Sequence, residues 1–308
     1  MSMLQQALAD YLSIRRALGY KLERAGKLLA QFVDHLDAAG VSTVTVEHAV
    51  AWATLPASAD GYWWAYRLSV VRGFTRYLAG IDEATEVPPT DLLPWRKRRA
   101  TPYLYSDDEI VALLAATVIL RTPLRKATYR TLLGLLAVTG MRIGEAIALD
   151  RDDLDVRHEL LVVRSGKFGK SREVVLHPTT IEALVGYLQQ RDQFHPRPST
   201  PALFINNAGK RLRYDGMHAT FKRLVDRAGL TPRSAACRPR PHDLRHSFAV
   251  NSLLDAYRTG VDVAARLPLL STYLGHVHPS GTYWYLSAAP ELLALAGQRL
   301  EDHLGARP

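Results

Sequence analysis

Four segments beyond residue 138 combine positive charge with hydrogen-bonding groups, next to small residues or glycine turns. They are residues 139–145, the turn around Lys167, residues 242–246 and residues 274–276. Such groups are suited to phosphoryl transfer, because guanidinium groups held in place stabilise the negative charge that spreads over the non-bridging oxygens of the transition state. These segments therefore predict chemistry at a phosphate.

The local spacing supports this prediction. His242 and Arg245 are three residues apart, so on a helix they share a face and could meet one phosphate. Arg142 and Glu145 have the same spacing, so the carboxylate could orient the guanidinium. A metal pair around His276 and the nearby histidines is the less favoured alternative, because cations and no carboxylate cluster accompany them.

Composition narrows the class of protein. The chain has 308 residues and 47% hydrophobic content, which fits one large or two ordinary globular domains. Cys237 is the only cysteine, so an internal disulfide or a thiolate zinc cluster is excluded. The sequence lacks a run of about 18 apolar residues, and Gln5, Gln6 and Asp10 interrupt its start, so we expect a soluble, cytoplasmic protein without a signal peptide.

The charge balance favours a polyanionic partner such as double-stranded DNA. The formal net charge is +9 and the sequence pI is near 9.7. Each lysine or arginine placed on a phosphate releases condensed counterions, which favours binding to nucleic acid.

The first part of the sequence predicts a bundle of helices. The predicted ranges are 2–18, 21–39 closed by Gly40, 46–55 with Thr45 as a cap, and 61–79. In the last of these, Arg67, Arg72 and Arg76 lie off the apolar stripe, so we expect them to form a basic, DNA-binding face.

A linker is predicted between residues 80 and 102, where prolines replace the helical period. It contains four successive cations, Arg96, Lys97, Arg98 and Arg99. They would repel one another unless they are solvated or lie along phosphates, and both interpretations stay open.

A second domain begins at Ser106, whose spacing to Glu109 matches a capping box. Two β-type runs, 160–164 and 173–176, flank the turn at Lys167 and predict a hairpin. The other predicted helices are 125–138, 141–149, 178–192, 215–228, 241–256, 262–275 and 290–303.

Over about residues 103–290 the sequence resembles the tyrosine recombinase, or phage integrase, family. The motifs that carry the resemblance occur in the family's order: Thr-Gly-x-Arg-x-x-Glu at Arg142, Gly-Lys-x-x-Lys-x-Arg at Lys167, His-x-Leu-Arg-His at His242, and Leu-Gly-His at His276. Tyr285 follows His276 by nine residues, as in the family. Phe168 is a departure, because many relatives have glycine there.

The resemblance implies catalysis without a cofactor or metal ion, through a covalent 3′-phosphotyrosyl intermediate. Tyr285 would attack the phosphodiester, and His242 would accept its proton. Arg142 and Arg245 would hold the two non-bridging oxygens, and His276 would donate a further hydrogen bond. Lys167 would protonate the departing 5′ oxygen, with Lys170 as its competitor for that role. Otherwise Lys170 contacts the DNA backbone or is solvated.

Three further positions are interpreted with the resemblance in view. Tyr273 continues an apolar row and is expected in the core. Tyr283 and Tyr285 are two apart, which on a helix would place them on roughly opposite faces, so only one can face the phosphate, and the family spacing selects Tyr285. Arg238 and Arg240 lie among prolines in a segment that either contacts DNA or serves as a rigid connector. The final helix docks on a neighbouring subunit, as in relatives, or packs on its own domain.

The implied fold is mainly α-helical with a small antiparallel sheet. A SAM-like, DNA-binding core-binding domain would cover residues 1–95, a basic linker 96–102, and a catalytic domain with the DNA breaking-rejoining fold 103–308. The two domains would clamp duplex DNA, with a tetramer assembled on two sites, as in the integration or excision of mobile elements. The alternatives are a type IB topoisomerase and a catalytically silent DNA-binding regulator with the same fold.

Overall fold

The computed structural model of the chain describes residues 2–93, 101–164, 171–276, 278, 280–288 and 290–305. Contacts divide the chain into two compact units, Met1–Arg99 and Ala100–Pro308. Six predicted DNA-contacting or catalytic residues lie outside the described residues: Arg96, Lys97, Arg98, Arg99, Lys167 and Lys170. Among the residues described, every helix is too short or too polar to span a bilayer.

Residues 2–93 form the predicted helical bundle. Its helices are α1 (Met3–Ala17), α2 (Glu23–Ala38), α3 (Val46–Thr54) and α4 (Gly61–Leu78). Ser2, Thr45 and Asp60 cap α1, α3 and α4, because each side chain accepts a hydrogen bond from a backbone N–H in the first turn. Apolar side chains spaced three and four residues apart fill the core, including Phe32 and Phe74, which are completely buried.

Arg67 was predicted to contact DNA, and the structure shows that this prediction is wrong. Only 7% of Arg67 is exposed, and its guanidinium carbon lies 3.6 Å from the ring centroid of Trp52. One Nη atom donates a hydrogen bond to the backbone oxygen of Trp52 at 2.6 Å. Arg67 therefore ties α4 to α3, and burial lowers its pKa.

The two other arginines of α4 differ in exposure. Arg72 donates hydrogen bonds to the backbone oxygens of Pro88 and Pro89, at 2.7 and 2.6 Å, so most of its guanidinium is occupied by its own chain. Arg76 is exposed. Of the three arginines, Arg76 has the geometry best suited to a phosphate contact.

We predict that Arg67→Ala lowers the free energy of unfolding by about 2–4 kcal/mol, because it removes a charged hydrogen bond and a desolvated cation–π contact. Chemical denaturation followed by tryptophan fluorescence measures the change. Arg76→Ala, on the same helix, is the matched control and should shift stability by less than about 0.5 kcal/mol. Equal effects of the two substitutions would contradict the structural role of Arg67.

The second unit is mainly helical. Its helices are α5 (Asp107–Ala115), α6 (Pro123–Thr139), α7 (Ile143–Ala148), α8 (Pro178–Phe194), α9 (Tyr214–Arg227), α10 (Asp243–Arg258), α11 (Val263–Leu274), α12 (Ser280–Ala288) and α13 (Pro290–Gly305). The predicted capping box is present, since Ser106 and Glu109 exchange both backbone-to-side-chain bonds. Helix α12 was not among the predicted elements.

A small antiparallel sheet completes this unit. It contains β1 (Leu154–Asp155), β2 (Leu160–Val163) and β3 (Arg172–Val175), in that order. In its register Val163 is opposite Arg172, at the two strand ends next to the predicted hairpin. The predicted fold class, mainly helical with a small antiparallel sheet, is confirmed. The short strand β1 is an addition to the predicted pair.

Two hydrophobic clusters organise the second unit. The larger one surrounds α6, whose Leu132, Leu133 and Leu136 are almost completely buried. The other joins α10 and α11 to the last two helices through Tyr285 and Leu292. Leu292 is 1% exposed, so in this single chain the start of α13 packs on its own domain. The ends of α6, α10 and α11 meet at the site described next.

Candidate active site

Arg142 follows a tight turn at the end of α6. Gly140 has a φ of +59°, and a Cβ atom at that position would lie 2.5 Å from the ring of Phe248, so both the conformation and the space require glycine. Arg142 then precedes α7, and its Nη1 lies 2.6 Å from Oε1 of Glu145. The backbone N–H of Arg142 also donates to this carboxylate. The predicted orientation of Arg142 by Glu145 is confirmed.

Arg245 lies in the first turn of α10 and is 2% exposed. Its guanidinium donates to the backbone oxygens of Gly140 and Leu274, at 2.8 and 2.6 Å. Burial lowers the pKa of Arg245 to about 10, and interaction with Tyr285 opposes that shift. Arg245 therefore stays a cation at neutral pH, fixed between the ends of α6 and α11.

His276 follows α11, and Gly275 closes this helix with a φ of +68°. One ring nitrogen, Nε2, lies 2.9 Å from an Nη atom of Arg245, and the other, Nδ1, lies 2.7 Å from Oγ1 of Thr282. Arginine can only donate, so Nε2 accepts and the proton of the neutral ring resides on Nδ1. In this conformation His276 thus supports Arg245, whereas the predicted role was donation to a phosphate.

Helix α12 brings Tyr285 into the site. Tyr285 is 2% exposed, and its ring centroid lies 5.9 Å from that of His276 in a stacked arrangement. The Tyr285 side chain also interacts directly with Arg245. Tyr283 is 55% exposed on the other side of the helix. The structure places Tyr285, and not Tyr283, beside the arginines.

His242 and His246 line the same region. Their ring centroids are 5.0 Å apart, and His246 lies 5.2 Å from Tyr285 and 5.0 Å from Trp284. Nδ1 of His246 is buried without a hydrogen-bond partner among the described residues, as befits a ring packed behind the site. In the part of the chain that the structure describes, no three His, Cys, Asp or Glu residues are grouped closely enough to hold a metal ion. His278 is exposed, as predicted.

The three histidines of the site are kept neutral. Burial, reinforced by neighbouring arginines, lowers the pKa of His242 and of His276 to about 4. Burial, together with His242 and the arginines, lowers the pKa of His246 to about 3. At neutral pH His242 is consequently able to accept a proton.

These shifts predict a pH-dependent stability. Between about pH 6.5 and pH 4 the unfolded chain protonates histidines that the folded chain keeps neutral, so the free energy of unfolding should fall as pH is lowered through this window. Urea denaturation at several pH values measures the slope. His246→Phe, which keeps an aromatic ring, should make the slope shallower. An equal slope in that variant would contradict the assignment.

The carboxylate of Glu145 is the negative group that binds the arginines of the site, whereas buried Asp243 is paired with Arg240. Burial acts to raise its pKa, but hydrogen bonds from Arg172 and Arg142 outweigh this effect and lower the pKa to about 2. The guanidinium groups of Arg142 and Arg172 thus share this carboxylate, and the charge of Arg245 lies close enough to interact with it. The excess positive charge suits a phosphodiester whose negative charge grows in the transition state.

The two arginines of the segment before His242 have different surroundings, and each fits one of the two interpretations. Arg240 binds both carboxylate oxygens of buried Asp243, at 2.9 and 3.1 Å, and the backbone oxygen of Thr101, so it acts as a connector and its predicted DNA contact is not supported. Arg238 is exposed, with Nε bonded to the backbone oxygen of Ala235. Of the two, Arg238 is the more exposed, and its guanidinium is less occupied by bonds to its own chain than that of Arg240.

Sequence reasoning missed two residues of the site. Arg172 bonds to Glu145 at 2.8 Å and to the backbone oxygen of Tyr273 at 2.9 Å. Thr282 is 1% exposed and holds the ring of His276. Arg172 is the last residue of the Gly-Lys-x-x-Lys-x-Arg motif, and its place in that motif could have identified it as a residue of the site. Tyr273 itself is partly buried and stacks on Phe248, as its apolar row predicted.

Comparison with known proteins identifies relatives of this chain. Residues 104–291 match the phage integrase family. The protein y4rB of Sinorhizobium fredii, named as an integrase/recombinase, is 43% identical over 307 residues, which cover 98% of each chain. The tyrosine recombinase XerC of Herpetosiphon aurantiacus is 31% identical over 223 residues, covering 72% of this chain and 67% of the relative.

Solved structures extend the comparison to the fold. The integrase of transposon Tn1549, in complex with transposon right end DNA, superposes with a TM-score of 0.67 at 16% identity, covering 99% of this chain and 100% of that one. The recombinase XerH bound to difH DNA has a TM-score of 0.62 at 21% identity, covering 91% and 78%. At these identities the likeness concerns the fold.

Proposed function

Because the chain belongs to the phage integrase family and is a site-specific tyrosine recombinase that binds, cleaves and rejoins DNA, we propose that Tyr285 is its nucleophile. The observation that carries this proposal is the position of the Tyr285 side chain, buried against His276 and interacting with Arg245. A phosphotyrosyl ester conserves the energy of the DNA bond, so the strand can be rejoined without ATP.

The proposed reaction has two mirrored steps. The Tyr285 hydroxyl gives its proton to neutral His242, and its oxygen forms a bond to phosphorus while the bond to the 5′ oxygen breaks. Lys167 donates a proton to that oxygen, which leaves as a hydroxyl, and Lys170 is the alternative donor. In the second step a 5′ hydroxyl from another strand attacks the phosphorus and gives its proton to the lysine. The bond from phosphorus to the Tyr285 oxygen breaks, and His242 returns its proton to that oxygen.

Arg142 and Arg245 neutralise the non-bridging oxygens during both steps. Their side chains are held by Glu145 and by backbone oxygens before DNA binds, so little reorganisation is needed as charge develops. For His276 to donate to the phosphate, its proton must move from Nδ1 to Nε2. The arrival of a phosphate oxygen beside Nε2 favours that tautomer, because the N–H of Nε2 then has an acceptor, while Arg245 keeps its bonds to the oxygens of Gly140 and Leu274.

The remaining parts of the chain are assigned to DNA binding and assembly. We propose that residues 1–95 form a DNA-binding domain and that the linker cations of 96–102 lie along the DNA backbone. Recombination requires four strand cuts, and each subunit supplies one, so a homotetramer on two DNA sites is the proposed active assembly. We also propose that the protein acts in the cytoplasm.

The experiment traps the covalent intermediate. Labelled duplex fragments from the DNA flanking the gene, each with a nick, are incubated with the protein in EDTA and separated on a denaturing gel. We expect a protein–DNA adduct attached at a 3′ phosphate, because the short strand released at the nick cannot re-ligate. Absence of any adduct would favour a silent DNA-binding regulator, and relaxation of arbitrary supercoiled plasmid would favour a topoisomerase.

A further inference from the structure

The C-terminal end of α11 gathers three arginines. Arg172 Nε donates to the oxygen of Tyr273 at 2.9 Å, Arg245 Nη2 to that of Leu274 at 2.6 Å, and Arg142 Nη2 to that of Gly275 at 3.1 Å. The last carbonyl groups of a helix lack donors within the helix and carry the negative end of its dipole. Three successive carbonyl groups thus hold three cations around the site.

Arg172 differs from the other two arginines, because it is the one without a proposed contact to the phosphate. Its side chain is 14% exposed and its Nη2 donates to Oε2 of Glu145 at 2.8 Å. The other carboxylate oxygen, Oε1, binds Arg142 Nη1 at 2.6 Å. Glu145 therefore bridges the two guanidinium groups, and Arg172 reaches Arg142 only through it.

The position of Arg172 is tightly determined. The residue begins β3 and is paired with Val163 of β2. Its guanidinium packs on Gly275, where a Cβ atom would lie 3.0 Å from Nη1 and 3.2 Å from Cζ. A strand, a carboxylate and a helix end thus restrain Arg172 from three sides, and any side chain at position 275 would displace it.

We propose that Arg172 is a positioning residue for DNA cleavage, which holds Glu145 and the end of α11 so that Arg142 is aimed at the phosphate. The proposal rests on the proposed function. Without Arg172, both oxygens of Glu145 become available to Arg142, and the guanidinium turns toward the carboxylate and away from the phosphate. The oxygen of Tyr273 also loses its donor, which loosens the segment that carries His276.

The test compares cleavage chemistry with DNA affinity. A nicked duplex is made from the fragment captured in the adduct assay, and single-turnover cleavage is measured at saturating protein. We expect Arg172→Gln to cleave about 10- to 100-fold more slowly, since a charge-assisted hydrogen bond is lost, while the Kd for the duplex stays within about threefold. Arg172→Lys, which keeps the charge, should recover part of the rate.

A double-variant cycle separates positioning from general loss of structure. If Arg172 acts through Glu145, the variant carrying both Arg172→Gln and Glu145→Gln should cleave no more slowly than the slower single variant. If the double variant instead loses cleavage rate by the product of the two single losses, Arg172 does not act through Glu145. A rate for Arg172→Gln equal to that of the unaltered protein would overturn the proposal altogether.

Arg211 offers a matched control. It binds the carbonyl oxygens of Ile147, Ala148 and Leu149 at the far end of α7, and the carboxylate of Asp150. Arg211→Gln removes the same kind of interaction away from the proposed phosphate position, so it should lower the denaturation midpoint and leave the cleavage rate unchanged. Equal losses of cleavage rate in Arg211→Gln and Arg172→Gln would mean that Arg172 only stabilises the fold.

An unaltered protein that forms no adduct contradicts the proposed function, and the role of Arg172 with it. An adduct that forms at the same rate with and without Arg172 contradicts the positioning role alone.

Discussion

Replacing Tyr285 by phenylalanine is expected to abolish the covalent protein–DNA adduct, lowering strand cleavage by at least about 10⁴-fold, the scale typical of losing a nucleophile. The substitution removes one oxygen and keeps the ring, which is buried in the cluster with Leu292 and stacked near His276. The fold and the DNA affinity should therefore be retained. Denaturing gels of the nicked-duplex reaction and a gel-shift titration measure the two quantities.

Tyr283→Phe is the matched control for this prediction. Tyr283 is on the same helix and 55% exposed, so loss of its hydroxyl should leave adduct formation within about twofold of the unaltered protein. If the adduct still formed in Tyr285→Phe and disappeared in Tyr283→Phe, the nucleophile would be Tyr283 on the opposite face of α12. That result would refute the proposed site.

Replacing Arg142 by glutamine is the second prediction with a large effect. We expect single-turnover cleavage to slow by about 10³-fold, because the site loses a guanidinium that stabilises charge only as the transition state forms. The Arg142 side chain is 23% exposed, against 2% for the whole of Arg245, so its removal should disturb packing less than a change at Arg245. The comparison of cleavage rate with Kd separates chemistry from binding.

A charge-retaining variant sharpens the result. Arg142→Lys keeps one positive charge but cannot bind Glu145 and a phosphate oxygen with a planar pair of donors, so most of the rate loss should remain. Full activity in Arg142→Lys would mean that net charge alone suffices and that the held geometry is dispensable. Thermal melting of both variants checks that each is folded.

The electrostatic design of the site follows from burial. Desolvation keeps His242, His246 and His276 neutral, whereas the arginines retain their charge because they are stronger bases and are bonded to carbonyl oxygens or to Glu145. Positive charge is thus concentrated in guanidinium groups, which cannot serve as bases, and proton transfer is left to a histidine. This division of roles suits a reaction that needs both fixed positive charge and a proton acceptor.

Much of the architecture could be predicted from the sequence. Apolar spacing and caps such as Thr45 and the Ser106 capping box located most helices, because these signals are local and are read within one or two turns. Helix α12 was missed as an element since it is short and only weakly amphipathic. Strand β1 has two residues, too few for a period to be detected.

The sequence by itself determined which side chains are proposed to react, because Arg142, Arg245 and Tyr285 were selected by their match to the family's motifs without any knowledge of contacts. Only the tertiary structure decided what holds them. Arg67 was misjudged because exposure depends on Trp52, fifteen residues earlier, and Arg172 was overlooked because its partners lie 27 and 101 residues away in sequence. Local patterns report the residues that a segment contributes, whereas the burial of a charge and its partners arises only when distant segments pack together.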